Sequence, residues 1–157
     1  MRFLAILLTT VWVAVAAAQT APRPGPKDLC PVCGMLVTKY PNWGATVVWN
    51  DGHAHHFDGA KDLFRFINEL AKYAPGHRRE DIARLFVTDF YSLQQIDARK
   101  ALYVVGSDVL GPMGHELVPL ATREDAADFM KDHKGKRILA FEQVSAEVTR
   151  SLDADKR

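Results

Sequence analysis

The sequence predicts an α+β fold: two tandem ββαβ modules packed as one compact unit. Three observations lead there. Strand-forming runs and one amphipathic helix follow each other in the same order twice, over residues 29–90 and 91–144. Gly52-His53 opens a strand in the first pass as Gly114-His115 does in the second, and after a one-residue insertion Leu63, Phe66 and Ile67 fall on Ala126, Phe129 and Met130. Finally, the strands of one pass cannot hide an apolar helix alone, whereas two passes packed together can.

The elements follow in chain order. Arg2, the apolar run Phe3–Ala17 and the small residues Ala16 and Ala18 read as a secretory signal peptide over 1–18. The run is short for a membrane span, with an uncleaved N-terminal anchor as the alternative. Residues 19–28, "QTAPRPGPKD", hold three prolines and a glycine and form an extended linker. "ATVVWNDGHAHHF" reads as a hairpin with Asp51-Gly52 as a type I′ turn. From Lys61 to Tyr73 the apolar residues Leu63, Phe64, Phe66, Ile67, Leu70 and Tyr73 recur at helical spacing, with Lys61, Arg65, Glu69 and Lys72 mostly on the other face. Asp58 is placed to cap this helix, and Pro75-Gly76 ends it. "RLFVTD" closes the first module as a strand. In the second, "KALYVVG" is a strand, "GPMG" a turn and "HELVPL" a returning strand that Pro119 assigns to an edge. Thr122 and Asp125 signal a helix start, Gly135 its stop, and "RILAFEQV" the last strand. Residues 145–157 read as a polar, fraying tail.

Composition excludes several functions. With 20 basic and 19 acidic residues, and only two short basic runs, the chain lacks the basic stripe of a nucleic-acid binder. No serine–histidine–acid pattern, phosphate loop or paired-carboxylate helix stands out, so an enzyme finds little support. Asp58 and Asp62 are spaced i, i+4, but a helix cap and a solvated turn account for them.

The two cysteines, Cys30 and Cys33, lie in "CPVCGM". Export places them in an oxidising compartment, yet a C-x-x-C bridge closes a loop too short to stabilise much. A thioredoxin-type dithiol needs its first cysteine at a helix N-terminus, and Gly34 with the β-branched run that comes after it opposes that. Structural zinc commonly takes four ligands, and no second C-x-x-C exists; His53, His55 and His56 could add to a site but read better as a polar hairpin arm. Copper(I) fits best, because it favours thiolate and thioether sulfur, and Cys30, Cys33 and Met35 supply three soft donors in six positions.

"CPVCGMLVTKYPNW", "FDGAKDLFRF" and "YVVGSDVLGPMGHELVPL" together resemble the NosL family, the exported copper-binding accessory proteins of nitrous oxide reductase. The resemblance runs from about Leu29 to Phe141. It implies a monomeric Cu(I) carrier of two ββαβ modules, similar in topology to organomercurial lyase but without that activity. Such a carrier would bind a copper ion and supply a client copper enzyme, nitrous oxide reductase, with copper for its four-copper cluster. Carried over by motif, the metal residues are Cys30, Cys33 and Met35 from the first module, and Met113 and His115 from the second. Gly111, Pro112 and Gly114 would form a tight turn presenting the Met113 thioether. Family members are usually lipoproteins, whereas this signal has no cysteine at its end, so the expectation here is a soluble periplasmic protein.

Overall fold

The computed structural model describes residues 20–154, so the expected signal peptide lies outside the described residues. In chain order the elements are β1 (Ala45–Trp49), β2 (Ala54–Phe57), α1 (Ala60–Asn68), α2 (Leu70–Tyr73), β3 (Ile82–Thr88) and β4 (Gln95–Asp97). Then come β5 (Leu102–Val105), β6 (Leu110–Gly111), β7 (Gly114–His115), β8 (Val118–Leu120), α3 (Arg123–Asp132), β9 (Arg137–Ala140) and α4 (Ala146–Ala154).

The expected duplication is visible in the sheets. The first runs β2-β1-β3-β4 and the second β8-β5-β9, so each module places its first strand between its second and its last. All pairings are antiparallel. The added strand β4 pairs with β3, which carries the first sheet past residue 90 to Asp97. Pro119, which has no N–H to give to a ladder, sits on the edge strand β8.

Helix α1 lies between the two sheets. Phe66 meets Phe57 and Trp49 on one side, with ring centroids 5.1 and 6.1 Å apart. On the other, Phe64 meets Tyr103 of β5 edge-on at 4.9 Å and Phe141 at 5.1 Å. Strand β5 is apolar on both faces for the same reason. Tyr103 and Val105 join the main core, while Val104 joins a smaller one with Phe129 and Ala126 of α3. Of the polar face expected of α1 only Lys61 is buried, and completely so; Asp62 beside it is buried as well.

Four local readings are corrected. The helix expected to run from Lys61 to Tyr73 breaks at Glu69, where Arg79 reaches across to donate to the Ile67 carbonyl and the Asn68 side chain. The β1–β2 hairpin is not a type I′ turn. Only Gly52 has positive φ (+87°), and Trp49 N–H donates to the His53 carbonyl across a three-residue loop. After α3, Lys134 takes the left-handed position at φ +55°, while Gly135 is needed for space: a Cβ there would lie 2.5 Å from Val104 Cγ1. The segment read as a fraying tail forms α4, because Thr149 and Leu152 bury one face and Asp153 pairs with Lys61 and Arg65 of α1. The Thr122 cap stands as expected, its Oγ accepting from the Asp125 amide at 3.0 Å.

Candidate metal centre

The CPVCGM segment folds into a closed loop. Leu29 bridges to Leu36, Cys30 N–H donates to the Met35 carbonyl at 2.8 Å, and Gly34 N–H returns to the Cys30 carbonyl at 2.8 Å. Gly34 has φ +76°, a left-handed conformation that glycine adopts without a side-chain penalty. The reversal brings both sulfurs against the start of α1. Cys30 Sγ–H donates to Asp62 Oδ2 at 3.3 Å, and Cys33 Sγ–H donates to Asp58 Oδ1 at 3.2 Å. One ligand atom from each of Cys30, Cys33, Asp58 and Asp62 lies within 4.8 Å of the others, an arrangement able to hold a metal ion.

Both cysteines are free, and their surroundings favour the thiol over the thiolate. Burial pushes the Cys30 thiol up to about 12, and the Asp62 charge adds to the rise. Cys33 is raised further by burial, then by its contacts with Asp62, Cys30 and Asp58. Asp58 Oδ2 is buried without a hydrogen-bond partner. A carboxylate oxygen left so is costly, and a nearby cation would offset that cost. The donors are mixed in character: sulfur suits soft cations and carboxylate suits hard ones.

Sequence reasoning placed Asp58 as a helix cap and Asp62 on a solvated turn, and both readings are corrected. Gly59 is the N-cap residue, and no side chain of its own module caps α1. The cap comes from the second module. Glu116 Oε1 accepts from the Lys61 amide at 2.7 Å and from the Leu117 amide at 2.9 Å, putting a carboxylate on the helix N-terminus. Burial raises the Glu116 carboxyl to about 7, against the pull of Lys61 and these two amides. A Cβ on Gly59 would lie 2.4 Å from Glu116 Oε2, so a larger residue there would have to displace the Glu116 carboxyl.

Met113 and His115 sit on the β6–β7 hairpin, which docks on this first turn of α1. Lys61 Nζ donates to the His115 carbonyl at 2.7 Å and to the Met113 carbonyl at 3.3 Å. Gly114 between them has φ +88°. Both side chains are half-buried, as is Met35 in the cysteine loop. The second-module pair thus rests on the helix that carries Asp62, while the four-residue cluster itself does not include His115.

The histidine trio separates as the strand alternation of β2 requires. His56 bonds Thr46 Oγ at 3.0 Å and lies 4.0 Å from Asp28. His55 Nδ1 accepts from Trp49 Nε1–H at 2.8 Å, and Trp49 also stacks on His77 at 4.2 Å. Accepting at Nδ1 leaves the proton of a neutral ring on Nε2, an arrangement poor for ligation there. Burial lowers the His55 pKa, and the neighbouring histidines His77, His53 and His56 lower it further. His53 is exposed at the hairpin.

Fold and centre together define a class: a two-module α+β protein whose thiol–carboxylate cluster, set between a closed loop and a helix start, can take a metal ion. Comparison with known proteins narrows it. The NosL family model matches residues 23–149, and the chain belongs to that family. The copper-binding lipoprotein NosL of Stutzerimonas stutzeri is 32% identical over 125 residues, which cover 74% of this chain and 62% of that protein. This chain therefore spans less than two-thirds of that relative's length. The crystal structure of the copper chaperone NosL from Shewanella denitrificans superposes with a TM-score of 0.68 at 24% identity, covering 82% of this chain and 97% of that one. Both the expected family and the expected fold class stand. Among the described residues no helix is long and apolar enough to cross a membrane.

Proposed function

We propose that this protein is an exported, non-enzymatic carrier that binds Cu(I) at Cys30 and Cys33 and passes it to a client copper enzyme. The observation that carries the reading is the meeting of two free thiols, within reach of one ion, where the cysteine loop folds onto the start of α1. Membership of a family whose relative is named copper-binding supports it. The client implied by the NosL resemblance is nitrous oxide reductase, the compartment is the periplasm, and the carrier works as a monomer.

Loading is an exchange of protons for copper. Cu(I) arrives, the Cys30 and Cys33 S–H bonds break, two Cu–S bonds form, and two protons leave to solvent. Asp58 and Asp62, which accept from the thiols beforehand, then face the new thiolates, and the copper charge reduces the repulsion between them. The Met35 thioether, with Met113 or His115 from the hairpin, supplies weaker donors. A weakly filled position lets a client ligand enter before a carrier ligand departs. Thiol–disulfide exchange, the alternative chemistry of a C-x-x-C, needs a stabilised thiolate, and burial beside two carboxylates works against one here.

Copper K-edge X-ray absorption on the reduced, copper-loaded protein tests the assignment. A shell dominated by sulfur is expected, and Cys33→Ser should keep its fold but retain little Cu(I) against a chelator. A histidine-dominated shell, or full retention by Cys33→Ser, refutes it.

A further inference from the structure

We propose that Lys61 is a positioning residue that, with Glu116, holds the Met113–His115 hairpin on the helical turn carrying the acidic half of the metal centre. The inference rests on the copper reading and deepens it by assigning what sets the second-module donors in place.

A fully buried ammonium is costly unless it is well bonded, and an apolar side chain would pack between two sheets at less expense. Lys61 instead directs its Nζ to the carbonyls of Met113 and His115, the two candidate donors of the hairpin, and to Asp153 of α4 at 3.5 Å. Glu116, the residue after His115, reaches back to the Lys61 amide. The hairpin and Lys61 thus hold each other twice, side chain to backbone in both directions. The next residue of α1, Asp62, bonds Cys30, so adjacent positions on one helix fix the cysteine loop and the hairpin separately. Two glycines keep the clasp close. A Cβ on Gly59 would strike Glu116 Oε2, and one on Gly111 would lie 3.0 Å from Glu116 Cγ. Gly59 has extended backbone, φ −164°, so its requirement is space rather than conformation.

Two variants approach the clasp from opposite sides. Lys61→Met removes the donor while keeping the stem, and Gly59→Ala displaces Glu116 from the Lys61 amide without changing the Lys61 side chain. Cu(I) affinity of the reduced, folded protein should fall about 10–100-fold in each, the range for groups that orient metal ligands. The copper absorption edge should show the hairpin donors lost from the shell. In a Met113→Ala/His115→Ala background, neither change should have any further effect on affinity. A purely structural role would lower the melting temperature and leave affinity and shell as they were. Wild-type affinity in both folded variants overturns the proposal, as does a loss that persists undiminished in the donor-free background. If Lys61→Met does not fold, Gly59→Ala decides by the same criteria. A wild-type protein that takes up no Cu(I) overturns the copper reading itself, a failure distinct from that of the clasp.

Discussion

Copper uptake should be strongly coupled to pH, and over a wider range than ordinary cysteines allow. Cys30 is raised from its ordinary 9.0 to about 12, and Cys33 is raised further. At pH 7 the Cys30 thiolate is then about a thousandfold rarer than that of an ordinary thiol. Each thiol that binds copper must release its proton, so log K should climb by about 2 per pH unit. With ordinary thiols that climb flattens above about pH 9, where the free protein has already lost its protons. Here it should continue beyond pH 11. The assay is competition against a Cu(I) chelator under anaerobic conditions from pH 6 to 11, corrected for chelator protonation. A direct count in weak buffer should find about two protons released per copper. Stability carries the same signature. A group whose folded pKa is raised contributes stability that is complete below its unfolded pKa and is lost as pH rises through the folded value. The metal-free protein should therefore weaken from about pH 9 towards 12, and the copper-loaded protein should not. Release of fewer than one proton per copper, or a plateau near pH 9, refutes the reasoning.

Two further outcomes come from the packing. Leu152→Ala removes a buried side chain from α4 and should lower unfolding free energy by about 2–3 kcal/mol in urea denaturation; a change within 0.5 kcal/mol, the usual scale for surface sites, would return this segment to the status of a loose tail. Glu116 is raised from 4.5 to about 7, so its contribution to stability is complete below about pH 4.5 and lost as pH rises through 7. Glu116→Gln should flatten the change in melting temperature over that interval, and an unchanged pH profile counts against a buried, titrating carboxyl.

Much of this was legible in the sequence because period and punctuation are local. The strand-forming run "ALYVV", the turn in "GPMG" and the Thr122 cap each depend on a few neighbouring residues. The doubled ββαβ order was readable for the same reason, as was the pairing of Cys30 with Cys33. The features that escaped were set by the meeting of the two modules. Lys61 has the spacing of a solvent-facing lysine, and it is the β6–β7 hairpin and α4 meeting α1 that bury it. Asp58 and Asp62 offered a signal, two carboxylates four residues apart at a helix start, but so does many an exposed first turn. Their role depends on a loop some thirty residues upstream folding back on them. Helix α4 was hidden by its polar composition, since its stability comes from Asp153 pairing with α1 and from the burial of Leu152 rather than from a broad apolar stripe.

A helix covered on both sides leaves no slack for changes in length. One residue inserted or deleted within its first turn would rotate the remainder of the helix by about 100°. Asp62 would then leave the cysteine loop in the same event that carried Lys61 away from the hairpin. Variation in length among such chains should gather instead in the connections outside this turn, and a natural variant with an altered count between Asp58 and Arg65 should have lost its sulfur-bearing loop as well.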